Sequence, residues 1–114
     1  MEDNGIIELF FRRSEQAIVE TAEKYGNYCH SISYNILSNH EDAHECVNDT
    51  YLAAWNSIPP KRPSILSAFL GRITRNISIN LWKKHRTEKR GGGEVALALE
   101  ELSEYIASDE QVEQ

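Results

Sequence analysis

All three prolines of this chain, Pro59, Pro60 and Pro63, fall within five positions, and a glycine triplet, Gly91-Gly92-Gly93, closes the long segment that follows. Proline lacks the backbone donor and clashes with the preceding turn, so no helix passes through 59–63. Three successive glycines stop a helix through the backbone entropy they must lose. Beyond these breaks only the single residues Gly5, Gly26 and Gly71 interrupt the chain. The stretches between the main breaks are long and carry helical periodicity, and none alternates with the period of a strand.

The spacing predicts a short opening helix over 6–13 with Ile6, Leu9 and Phe10 on one side. Ser14 can cap a long helix over 15–37, whose apolar seam runs Ile18, Ala22, Tyr25, Cys29, Ile32 and Ile36. Ser38 and Asn39 end it, and Asn39 can cap a second long helix reaching Ser57, with His40, Glu41 and Asp42 in its first turn. Acids there suit the positive end of the helix dipole. Its inward set is Ala43, Cys46, Val47, Thr50, Tyr51, Ala54 and Ile58. After the proline loop, Ser64 starts a third long helix over 65–88, with Leu66, Phe69, Leu70, Ile73, Ile77 and Leu81 on its core face. A weak helix over 94–106 precedes an acidic end. At 114 residues this is one all-α domain, a compact bundle of three long helices with a short N-terminal and a weak C-terminal helix.

Charge is segregated along the chain. The protein carries −6 overall, yet residues 61–90 hold nine of its twelve Lys and Arg and net +8, against −7 for 1–60 and −7 for 91–114. Local positive charge on an acidic protein points to a polyanion docked at a defined place; a merely solvated basic face is the competing reading. No apolar run reaches the length of a membrane span, and the start MEDNGIIELFFRR lacks the pattern of a secretory signal, so a cytoplasmic protein is expected. Cys29 and Cys46 lie in helical patterns and read as buried free thiols.

The motifs of catalysis do not assemble. His40-Glu41-Asp42-Ala43-His44 is a literal HExxH, and histidines four apart on a helix can hold zinc. It falls in the first turn of its helix, however, with no third ligand following, so no metal and no cofactor are expected. No nucleophile elbow accompanies the Ser, His and Asp residues, and the glycine triplet follows a helix where a phosphate loop precedes one. The chain does not read as an enzyme.

The third long helix is more specific. With Ile73, Ile77 and Leu81 facing the core, Arg72, Arg75, Asn76, Ser78, Ile79, Trp82 and Lys83 fall on its flanks and outside. Asn76, Asn80, Lys83 and Lys84 form a ladder at spacings of three to four. Amide side chains pair with base edges, Trp82 can stack on an unpaired base or close the core, and the cations Arg72, Arg75, Lys83, Lys84 and Arg86 can fix phosphates.

The last two long helices resemble the second conserved domain of bacterial RNA polymerase sigma factors, the extracytoplasmic-function type above all. The run from Ala43 to Trp55, AHECVNDTYLAAW, resembles that family's Ala-Glu-Asp-Leu-Val-Gln-Glu-Val-Phe-Leu-x-x-Trp helix. The run from Phe69 to Lys84, FLGRITRNISINLWKK, resembles its Trp-Leu-x-x-Ile-Ala-Arg-Asn-x-x-Ile-Asp-x-x-Arg-Arg helix, and the likeness extends over about residues 6–90. The resemblance implies that the helix ending at Ser57 docks on the clamp coiled coil of the largest subunit of core RNA polymerase, with Glu45, Asn48 and Asp49 as contacts. It implies that the helix over 65–88 and the loop before it open promoter DNA and read the minus-ten element on the non-template strand. Arg72, Arg75, Asn76, Asn80, Trp82, Lys83, Lys84 and Arg86 are then the DNA-binding set. His44 stands where the family has an acid, Asn48 where it has Gln, and Asn80 where it has Asp; the last bears on promoter preference. Nothing after Gly93 supplies the family's C-terminal helix-turn-helix domain. Residues 91–114 therefore read as an acidic interdomain linker following a domain over 1–90, within a longer factor or a single-domain relative. An anti-sigma protein is an expected partner. The alternative is a helical interaction module, an adaptor or anti-sigma-bound domain, that does not read DNA.

Overall fold

The computed structural model describes residues 1–90, with side chains as far as Thr87. The expected helix over 94–106 and the linker over 91–114 lie outside the described residues. Four helices follow in order: α1 Asp3–Phe11, α2 Gln16–Leu37, α3 His40–Ser57 and α4 Leu66–Arg90. Helices α2, α3 and α4 pack mutually and α1 lies against α2, which is the expected all-α bundle. No described helix is long and apolar enough to cross a membrane.

The boundaries follow from local chemistry. Asn39 adopts an extended conformation and its Oδ1 accepts from the Asp42 backbone N–H at 2.9 Å, the expected N-cap of α3. Ser38 ends α2 in the left-handed region, φ 54°. Ser14 assists the start of α2 by accepting from the Gln16 N–H at 3.3 Å. At the far end of α3 the Ile58 N–H still bonds the Ala54 carbonyl before the prolines divert the chain. Arg13, itself left-handed at φ 57°, closes that end from outside. Its guanidinium lies 3.8 Å from the centre of the Trp55 ring, and Nη1 donates to the Trp55 and Ile58 carbonyls at 2.8 Å each. Cations there satisfy the orphan carbonyls of a helix C-terminus.

Gly26 and Gly71 are not breaks; both lie inside helices, each against the hydroxyl end of a tyrosine from a neighbouring helix. A Cβ on Gly71 would stand 2.7 Å from the Tyr28 hydroxyl and one on Gly26 3.2 Å from that of Tyr51. Room for the Tyr28 and Tyr51 rings offsets a propensity cost of about 1 kcal/mol for glycine in a helix.

The core has an apolar end and a polar one. Ile6, Ile7, Phe10, Ala17, Ala54, Ile58, Leu66 and Leu70 are buried together with Val47; on α1 Ile7 takes the buried place expected of Leu9, which is half-buried, and of the inward set expected for α3 only Tyr51 is half-buried. On α4 the expectation is corrected. Ile73, Ile77 and Leu81 are only half-buried, whereas Thr74, Ser78 and Ile79 are fully buried, so Ser78 and Ile79 do not lie outside. On α2 the buried set is likewise Ala17, Thr21, Cys29 and Ser33, with Ile18, Ala22, Tyr25, Ile32 and Ile36 on its margins. For the buried hydroxyl residues the reason is pairing. Ser78 Oγ donates to Ser33 Oγ at 2.7 Å, joining α4 to α2, and the Thr50 and Thr74 hydroxyls meet at 3.0 Å, joining α3 to α4. Both threonines also reach the carbonyl four residues back, at 2.8 and 2.9 Å. Small hydroxyl side chains let helices approach closely, and buried they must find partners. Cys29 and Cys46 belong to the same layer as free buried thiols. Burial pushes both thiols up, opposed by the hydroxyls of Thr74 beside Cys29 and of Ser33 and Ser78 beside Cys46.

Candidate polymerase and nucleic-acid interface

Packing α4 between α2 and α3 leaves one side of it open, and the basic residues are there. Arg72, Asn76, Asn80 and Lys84 are exposed at intervals of four, while Arg75, Trp82, Lys83 and Arg86 are half-buried. Four residues exceed one turn of 3.6, so each step rotates the stripe by about 40°. The exposed row therefore winds around α4, from the proline-loop end toward the flank shared with α3. Asn76, Asn80, Lys83 and Lys84 place no side-chain hydrogen bond or ion pair among the described residues. The half-buried Trp82 ring has the Arg86 guanidinium 4.9 Å from its centre, so one neighbour of the ring is already a cation. Trp82 neither closes the core nor stands free.

The loop before α4 is braced. Its Ile58–Pro59 and Pro59–Pro60 bonds are cis, and the Lys61 N–H bonds the Ser57 carbonyl at 3.0 Å. Arg62, counted above with the basic segment, turns back onto α1: its Nη2 lies 2.6 Å from Glu8 Oε1 and its guanidinium 4.6 Å from the Phe11 ring centre. The Arg62 hydrogen bond and charge hold the Glu8 carboxyl below its usual value. Ile65, just after the loop, is 58% exposed.

On α3 the expected contacts Glu45, Asn48 and Asp49 are all exposed. Leu52 joins them at 58% exposure and is absent from the sequence-derived set. Positions 45, 48, 49 and 52 share one helical face, so the signal was an apolar residue at the i+7 position of an acidic stripe. The two sets are not separate surfaces. A groove of about 240 Å³ between α3 and α4 is lined by Glu45, Cys46 and Asp49 from α3 and by Ile77, Asn80, Leu81 and Lys84 from α4.

His40 and His44 of the HExxH have different surroundings. His40 Nδ1 lies 3.0 Å from His30 Nε2 on α2, and its ring stacks 4.3 Å from that of Tyr34. His44 is exposed, and no group of three or more metal-ligating side chains occurs among the described residues. His85 Nε2 of α4 approaches Asp42 Oδ2 of α3 at 3.4 Å without forming a hydrogen bond.

The family model of Sigma-70 region 2 matches residues 21–88, which contain α3, the proline loop and α4 to its last described side chain. No curated protein and no solved structure matches the chain. The basic open side of α4, the acidic open side of α3 and this match agree: the chain belongs to the sigma-70 family, as its region 2, a non-enzymatic transcription-factor domain for core RNA polymerase binding and promoter melting.

Proposed function

We propose that this domain, over residues 1–90, recognises and melts the minus-ten element for an extracytoplasmic-function sigma factor in the cytoplasm, with 91–114 as its acidic linker. The observation that carries this reading is the open side of α4. There Asn76 and Lys83, without polar partners among the described residues, lie beside Arg72, Arg75, Trp82 and Arg86 on a protein of net −6. Cations hold the phosphates and supply salt-dependent affinity. Asn76 pairs with the edge of a base on the non-template strand, and the Trp82–Arg86 pair offers a stacking platform. Melting stays affordable because extruding a base costs only a few kcal/mol, recovered by stacking and hydrogen bonds. The face of α3 with Glu45, Asn48, Asp49 and Leu52 docks on the clamp coiled coil of the largest polymerase subunit, and the acids set association rate and salt dependence.

The test uses single-stranded oligonucleotides with holoenzyme formed on core polymerase. Asn76→Ala is expected to erase the preference for the cognate non-template strand over a scrambled one, about 1–3 kcal/mol at one base position. Equal binding of cognate, scrambled and duplex DNA by the unaltered protein would instead favour the interaction-module reading. In that reading the exposed Leu52 on an acidic face docks a partner such as an anti-sigma protein.

A further inference from the structure

The loop over 58–65 is attached to the N-terminal segment at two places. At its start, Arg13 Nη1 donates to the Ile58 carbonyl at 2.8 Å. Further along, Arg62 Nη2 donates to Glu8 Oε1 at 2.6 Å, and its guanidinium lies 4.6 Å from the centre of the Phe11 ring. One planar cation is thus held by a carboxylate and by an aromatic face, a pair of contacts that arginine is shaped to make. The platform is itself fixed. Ile6 and Phe10 of α1 are fully buried, and Asp3 accepts from Lys24 and Tyr25 of α2 at 2.7 Å each. Between the two attachments lie Pro59, Pro60 and Lys61, and the two prolines leave few free backbone torsions there. Past Arg62 the chain opens outward, with Ser64 exposed and Ile65 58% exposed.

We propose that Glu8 and Phe11 are positioning residues for promoter melting: through Arg62 they hold the loop where it meets the opened strand, and Arg62 is that brace rather than a phosphate contact. The proposal rests on the reading that the loop before α4 takes part in opening the minus-ten element. A phosphate approaching Arg62 must displace an acid already hydrogen-bonded to it. The pair adds little to stability, because the Arg62 and Glu8 side chains are 50% and 52% exposed and their attraction is screened. What it fixes is the place of the chain that carries it. Glu8 and Phe11 both precede residue 21, where the match to the family model begins, so this gives α1 a part in the reaction beyond the matched segment.

Holoenzyme formed on core polymerase tests this, with opening of a minus-ten duplex followed by the fluorescence of a 2-aminopurine in the non-template strand. Glu8→Ala and Arg62→Ala should each slow opening several-fold, and the two together should slow it no further. Melting temperature, capture of core polymerase and the salt slope of single-stranded oligonucleotide binding should all stay as in the unaltered protein. A phosphate contact predicts the opposite signs. Freed from its acid in Glu8→Ala, Arg62 would bind DNA more tightly, and Arg62→Ala would flatten the salt slope by about one phosphate. Either result overturns the proposal, as does opening indifferent to both replacements. A matching fall in melting temperature or in polymerase capture overturns it too. Hydrogen exchange of the full chain, with neither DNA nor polymerase, reads the brace directly. The Lys61 amide, bonded to the Ser57 carbonyl at 3.0 Å, should exchange several-fold faster in Glu8→Ala. Unchanged exchange would mean that Glu8 does not hold the loop. Faster exchange in that variant, with no opening by the unaltered holoenzyme, would sink the promoter reading and the positioning role with it, leaving only the contact between α1 and the loop.

Discussion

Asp3 shows how one carboxylate attaches a helix. The Tyr25 hydroxyl donates to both of its oxygens, at 2.7 and 2.9 Å, and Lys24 Nζ reaches Oδ1 at 2.7 Å. The Lys24 hydrogen bond is the main reason the Asp3 carboxyl sits below its ordinary value of 3.8, with Tyr25 adding to it against a modest burial penalty. Tyr25, pushed up to about 12 by burial and then by Asp3, remains a neutral donor well above physiological pH. A carboxyl whose folded value is depressed stabilises fully above its unfolded value and loses that contribution as pH falls through the folded one. Stability at neutral pH should therefore exceed that of Asp3→Asn, with the difference shrinking as pH drops below 3.8. Denaturant titrations of both proteins from pH 7 to pH 2 measure this, and parallel profiles would remove Asp3 from the anchoring of α1. The contribution is small, because the Asp3 and Lys24 side chains are 38% and 39% exposed and their attraction is screened.

Between elements, the hydroxyl contacts replace part of the apolar seam that helical periodicity alone suggests. Ser33 and Ser78 hydrogen-bond each other inside the bundle beside Cys46, so removing either leaves the other buried without that partner. Ser78→Ala or Ser33→Ala alone should cost about 1–3 kcal/mol, the penalty of a buried group losing its hydrogen bond. The double replacement should cost less than the sum, since no orphan remains. Urea unfolding of the four proteins gives the coupling, and strict additivity would mean that Cys46 or the backbone takes over the freed hydroxyl. The same scale accounts for the shift of the α4 face. Hydropathy favours Ile73, Ile77 and Leu81, but α4 lies against two helices at once, and the line of closest approach takes the smaller Thr74 and Ser78.

Across the molecule, charge follows chain order more strictly than it follows surface. The net −7 of residues 91–114 and +8 of residues 61–90 predict, on charge alone, that the acidic segment opposes nucleic-acid binding. Deleting 91–114 should raise affinity for a single-stranded oligonucleotide several-fold at low salt, and the gain should fade as salt shortens the screening length toward about 3 Å near 1 M. Binding isotherms of both proteins over a salt series test this; an unchanged affinity at low salt would show that the tail's charge does not reach α4. The sequence by itself determined the helices, their breaks at Ser38-Asn39 and at the prolines, the Asn39 cap and the family, because these rest on local propensity, capping chemistry and short residue patterns. It also placed Glu45, Asn48, Asp49 and Asn76 on open surface, since α3 faces α2 and α4 with the residues its period predicts. Only tertiary structure decided which side of α4 is buried, that Arg62 serves Glu8, that His40 pairs with His30, and that Asn80 and Lys84 share a groove with the acids of α3. Each of these depends on which helix lies alongside and at what distance, and a one-dimensional period carries no information about the neighbour.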